Sequence, residues 1–123
     1  MKAVTALIAL ALAGCATMPP SPAGPTAGLG QTASGNGLMV RPIKVVEDSR
    51  CPAAVNCVWA GRLTVRARMN GPGWTQIRDF ELGVPQAVDQ YRVTLIAAEP
   101  QKQAGAAIDP RAYRFTFDFQ SDL

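Results

Sequence analysis

The chain has 123 residues, of which 12 are Lys or Arg and 9 are Asp or Glu, giving a formal charge of +3, and it contains no histidine. That length is the size of one ordinary domain of about 100–150 residues. The missing imidazole excludes Ser-His-Asp and Cys-His nucleophile activation, imidazole metal ligation and a histidine pH switch.

The totals conceal an uneven distribution along the chain. Residues 1–14 begin Met1-Lys2-Ala3 and continue as an apolar run from Val4 to Ala13, interrupted only by Thr5. This run is too short for a spanning helix, which needs about 20 apolar residues. A basic start, a short apolar stretch and small residues before a cleavage point are the pattern of a secretory signal peptide.

The stretch ends in Leu12-Ala13-Gly14-Cys15. Here the sequence resembles the bacterial lipoprotein family, whose lipobox is a Leu, two small residues and a Cys. The resemblance covers only residues 1–16. It implies that Cys15 becomes the mature N-terminus, carries a diacylglycerol thioether and is then N-acylated. Each buried CH₂ contributes about 0.8 kcal/mol, so two or more acyl chains give lasting attachment where one does not. Residue 16 is Ala rather than Asp, which in that family accords with transport to the outer membrane of a Gram-negative host. The expected location is therefore the cell envelope, and the membrane is the first expected partner.

Residues 16–37 hold Pro19, Pro20, Pro22 and Pro25, five glycines and no charge. Such composition predicts a spacer without regular structure. The expected organisation is a signal peptide over 1–14, a lipidated Cys and disordered tether over 15–37, and a folded body over 38–123. Lys2 is the only charged residue outside that body, which leaves 11 basic and 9 acidic side chains within it. So mild an excess is not the footprint of a nucleic-acid-binding domain.

The body is small enough for a covalent staple to matter. With Cys15 lipidated, Cys51 and Cys57 remain, separated by five residues. Their spacing is not that of a Cys-x-x-Cys redox pair, and no His or further Cys completes a metal set. A structural disulfide is expected. The surrounding run, Ser49-Arg50-Cys51-Pro52 followed by Cys57-Val58-Trp59-Ala60-Gly61, resembles a segment of small secreted bacterial proteins to which no activity is attached, so no activity carries over. Trp59 is expected to pack on the disulfide and anchor the loop, and Gly61 to permit a turn or bulge. Arg50 and Trp59 are also candidate binding residues.

The remainder reads as strands. Leu38 to Glu47 is one, and Pro42, which lacks a ladder donor, predicts that it lies at an edge. In Arg62–Met69, Leu63, Val65, Ala67 and Met69 alternate with Arg62, Thr64, Arg66 and Arg68, the period of a half-buried strand. Asn70-Gly71-Pro72-Gly73 predicts a turn, with Trp74–Leu82 returning. Pairing Met69 with Trp74 sets Leu63 against Phe80, Arg62 against Glu81 and Thr64 against Asp79. Arg78 then falls on the face of Phe80, and is expected near a strand end or turned out by a bulge. Tyr91–Ala97 alternates again. Tyr113, Phe115, Phe117 and Phe119 place four aromatics on one face of a last strand, expected at the centre of the core.

Five or six strands with short connections predict an all-β fold, a small antiparallel β-sandwich. The basic row Arg62, Arg66 and Arg68 is the main candidate for binding an anionic envelope ligand or an acidic envelope protein. Partly neutralised by Asp79 and Glu81, the same row also reads as a solvated strand face. No paired-carboxylate cleft, phosphate loop or nucleophile motif stands out. The expected function is non-catalytic and cofactor-free: a lipid-anchored binding or structural module. The alternative is an inhibitor of a secreted hydrolase that presents the Cys51–Cys57 loop.

Overall fold

The computed structural model describes residues 24–121. The signal peptide, the lipobox with Cys15, and residues 16–23 lie outside the described residues. Eight strands run in chain order: β1 (Thr26–Ala27), β2 (Ala33–Gly35), β3 (Leu38–Asp48), β4 (Leu63–Gly71), β5 (Trp74–Glu81), β6 (Gln86–Val88), β7 (Tyr91–Glu99) and β8 (Arg114–Ser121). They form two antiparallel four-stranded sheets, ordered β1-β8-β7-β6 and β2-β3-β4-β5. The protein is an all-β sandwich.

Period-two alternation builds the core. Leu63, Val65, Ala67 and Met69 of β4 are fully buried, as are Leu38 and Val40 of β3, Val93 and Leu95 of β7, and Phe115 and Phe117 of β8. Phe80 of β5 meets Phe117 edge-to-face across the sheets, with ring centroids 5.8 Å apart, a geometry that adds about 0.5–1.5 kcal/mol to area burial. As expected, the aromatic strand is central, since β8 lies between β1 and β7.

The expected tether is corrected from residue 24 onward. Thr26 and Ala27 pair with Thr116 and Phe115, and Ala33–Gly35 pairs with Leu38–Val40. The Phe117 amide donates to the Pro25 carbonyl at 3.0 Å. A Cβ on Gly24 would stand 2.3 Å from the Phe117 carbonyl oxygen, so this glycine serves close backbone approach rather than flexibility. Strands of two and three residues are too short to show a period. The described residues accordingly hold eight strands rather than five or six.

The Pro42 expectation is also corrected: β3 is an inner strand, with β2 and β4 on its two sides. Pro42 is tolerated because β2 reaches only to Val40. Beyond it, the Pro42 carbonyl accepts from the Gly30 amide at 2.8 Å. The hydrogen-bonding edge of Pro42 thus faces the side where β2 has ended, and the missing N–H breaks no ladder bond.

The β4–β5 register differs from the expected one by two residues. Gly71, not Met69, stands opposite Trp74, and the turn is reduced to Pro72-Gly73. Gly71 leaves the space that the Trp74 indole occupies. A shift of two preserves which side chains face inward but changes their partners. Val65 rather than Leu63 opposes Phe80, Asp79 opposes Arg66, and Glu81 opposes Thr64. Arg78 is neither at a strand end nor displaced by a bulge: it pairs in register with Ala67 and stays exposed on edge strand β5, donating to Gln76 Oε1 at 2.9 Å. In β7 the register slips between Leu95 and Ala97, so Ala98 rather than Ala97 turns toward the core; Ile96 is exposed, as its alternation with Leu95 expects.

Candidate functional site

Two features carry the side chains singled out by sequence, the loop between β3 and β4 and the outer face of the β2-β3-β4-β5 sheet. Past Asp48 the chain continues as a narrow stem. The Ser49 amide donates to the Arg62 carbonyl at 2.8 Å and the Cys51 amide to the Ala60 carbonyl at 3.0 Å. Cys51 and Cys57 form the expected disulfide, with Cα atoms 5.9 Å apart.

Arg50 fixes this stem to the far end of β7. Its Nε and Nη2 donate to Asp48 Oδ1 and Oδ2 at 2.9 and 3.0 Å. Its Nη1 and Nη2 also donate to the carbonyls of Ala98 and Pro100 at 3.3 and 3.1 Å. The Lys102 ammonium donates to the Asp48 carbonyl at 2.6 Å, the Ala53 amide donates to the Lys102 carbonyl at 2.8 Å, and the Tyr113 hydroxyl donates to Asp48 Oδ2 at 2.8 Å. The side chains of Arg50 and Asp48 are only 15% and 10% exposed.

Burial pushes the Asp48 carboxyl up, yet the hydrogen bonds from Arg50 and Tyr113 and the Arg50 charge outweigh it and hold the group below its ordinary range. Burial and the Asp48 hydrogen bond push the Tyr113 phenol up to about 12. A carboxyl kept ionised in this way is a poor proton donor near neutrality. The cluster is a clamp between loop and sandwich, and Arg50 is engaged in it rather than presented for binding.

Trp59 departs from its expected role. It is 57% exposed and stands apart from the buried core. The Arg62 guanidinium lies 5.4 Å from its ring centroid, a cation–π distance. Val58 is fully exposed and Val55 is partly so, which gives the braced loop an apolar outer tip.

On the sheet face the expected row of three arginines is divided. Arg62 Nε lies 3.6 Å from Glu47 Oε2, not against Glu81. Arg66 is bidentate to Asp79 at 2.8 and 3.2 Å, and the Arg66 hydrogen bond holds the Asp79 carboxyl low. Arg68 stands opposite Arg41, and Arg66 opposite Lys44. Neither Arg41 nor Arg68 has an ion-pair partner among the described residues. Met39, Ile43 and Ile77 are exposed beside them.

Sequence reasoning missed the clamp, and it missed Arg41 and Lys44 as members of the basic face. A buried phenol at the head of an all-aromatic strand face needs a hydrogen-bond partner, and that was the available signal for the clamp. No family model, no curated protein and no solved structure matches the chain.

Proposed function

We propose that the chain is a lipid-anchored lipoprotein of the cell envelope whose β-sandwich is a non-catalytic binding or structural module. One observation carries this reading. Of the three cysteines, Cys51 and Cys57 bond to each other, which leaves Cys15, the residue that ends the lipobox, as the one with its thiol free for a lipid. A disulfide also accords with an oxidising compartment outside the cytoplasm. The nine residue-to-residue steps from Cys15 to Gly24 span at most about 30 Å when extended, so the body stays close to the bilayer that holds the lipid. Ala16 accords with an outer-membrane destination where the host has one.

The test is fatty-acid labelling of the full chain and of Cys15→Ser, with membrane fractionation of both. Labelling confined to the parent, with Cys15→Ser lost from the membrane fraction, is the expected result. Equal labelling of both sinks the reading.

The second reading, an inhibitor of a secreted hydrolase, is favoured by the outward Val55, Val58 and Trp59 on a loop that the disulfide and the clamp both brace. It predicts that Val58→Asp with Trp59→Ala releases a captured hydrolase, whereas changes on the arginine face leave capture intact.

A further inference from the structure

We propose that the outer face of the β2-β3-β4-β5 sheet, centred on Arg41 and Arg68, seats the phosphate-bearing head groups of the membrane. The inference rests on the membrane-anchored reading above and names the surface that meets the bilayer.

The register places Arg41 directly opposite Arg68 and Lys44 opposite Arg66. Like charges facing each other across a strand pair are destabilising. Asp79 neutralises Arg66 through two hydrogen bonds, whereas Arg41 and Arg68 have no ion-pair partner among the described residues. With Gly30, Pro42 and Ile43 they line a shallow depression of about 380 Å³. A phosphate diester between the two arginines accepts from both guanidinium forks and relieves their repulsion.

The surroundings favour a lipid surface over a free anion. Met39, Ile43 and Ile77 are exposed beside the arginines. Apolar side chains interleaved with cations suit the boundary between head groups and acyl chains. The short span from Cys15 to Gly24 keeps this face within reach of the bilayer. The body as a whole is only mildly basic, with 11 basic against 9 acidic side chains, so the unpaired cations are a local feature.

The experiment is co-sedimentation of the full chain carrying Cys15→Ser with phosphatidylcholine vesicles, with and without phosphatidylglycerol. Binding to the neutral vesicles reports the apolar N-terminal run, so the quantity read is the ratio between the two compositions. That ratio is expected to exceed one and to fall with added salt. Arg41→Gln with Arg68→Gln should reduce binding to the anionic vesicles about 30-fold, from two basic side chains near an anionic surface. Arg111→Gln, which changes an exposed charge outside this sheet, should leave it essentially unchanged. Removing opposed charges should not lower the thermal transition, so the double variant remains folded for the comparison.

A ratio of one, binding that survives the double substitution, or displacement by inorganic phosphate at a concentration matching the lipid phosphate would each overturn the proposal. Since Cys15 is absent from the assay, failed acylation with intact vesicle binding removes only the anchoring reading. Successful acylation without vesicle preference removes only this one.

Discussion

The Tyr113 hydroxyl donates to Asp48 Oδ2 at 2.8 Å, joining the residue just before β8 in one sheet to the last residue of β3 in the other. Asp48 in turn holds Arg50, and Arg50 holds the carbonyls of Ala98 and Pro100. One carboxylate therefore couples both sheets, the disulfide loop and the segment after β7. The predictions below test this clamp and the loop that it braces.

The first concerns alkaline pH. Folded Tyr113 keeps its proton to about 12, whereas an unfolded tyrosine loses it near pH 10. The raised value means that the folded state binds the proton more tightly. The resulting stability is complete below about pH 10 and is lost as the pH rises from there through about 12. About two units correspond to roughly 2–3 kcal/mol. Urea unfolding of the parent should weaken across this window. Tyr113→Phe should be less stable at neutral pH yet change less over the same range. Parallel curves for the two proteins would refute the assignment.

The second concerns acid. The Asp48 carboxyl is held below its ordinary range, so its contribution is present above the unfolded value of about 3.9 and is lost as the pH falls below that through the folded one. Asp48→Asn leaves the Arg50 guanidinium largely buried with only carbonyl acceptors. Removing one member of such a pair should cost about 2–4 kcal/mol near neutrality. As the pH falls below about 4 the stabilities of parent and variant should converge progressively, because the unfolded chain takes up the proton first and the folded carboxyl only at lower pH. Chemical denaturation at neutral and acid pH measures both quantities.

What the sequence disclosed follows from the range of the forces involved. Inward positions in β4, in β7 as far as Leu95 and among the aromatics of β8 were legible because burial there alternates with the pleat; the inward turn of Ala98 in place of Ala97 and the burial of Thr116 under Thr26 were not. The disulfide was legible from cysteine count and compartment. The register of β4 on β5 was not. Trp74 against Met69 and Trp74 against Gly71 keep the same faces inward, and only the fit of the indole over Gly71 separates them. β1 and β2 escaped because they are two and three residues long and are held by backbone bonds to distant strands. Arg41 was separated from Arg68 by the bend of the chain, and only pairing β3 with β4 brings them together.

The disulfide supplies the third prediction. Cys51 and Cys57 are six positions apart, and closing so short a ring lowers unfolded-state entropy by the equivalent of about 2–2.5 kcal/mol. A thiol titration of unfolded, unreduced protein should find neither cysteine free; finding both would remove the staple. Cys51→Ser with Cys57→Ser should lower stability by about that amount and leave the strand signature of circular dichroism intact, because no core side chain is lost. Loss of the whole β signal would show that the loop supports more than its own geometry.

The last prediction compares two glycines in the same backbone region. Gly61 has φ of +74° and Gly73 has φ of +77°, so alanine at either bears the left-handed penalty of about 1–2 kcal/mol. Their surroundings differ. A Cβ at Gly73 meets nothing within 4 Å, whereas at Gly61 it would lie 1.7 Å from the Ser49 carbonyl oxygen. That oxygen belongs to backbone in the stem, whose neighbouring Ser49 amide is bonded to the Arg62 carbonyl at 2.8 Å, so it does not yield as a flexible side chain would. Gly73→Ala should cost about 1 kcal/mol and leave the loop protected. Gly61→Ala should cost about 3 kcal/mol or more, and by parting Ser49 from Arg62 it should expose residues 52–58 to proteolysis under conditions where the parent resists. Urea unfolding and limited proteolysis of the two variants side by side measure the difference. Equal costs with equal protection would show that the stem does not hold the loop.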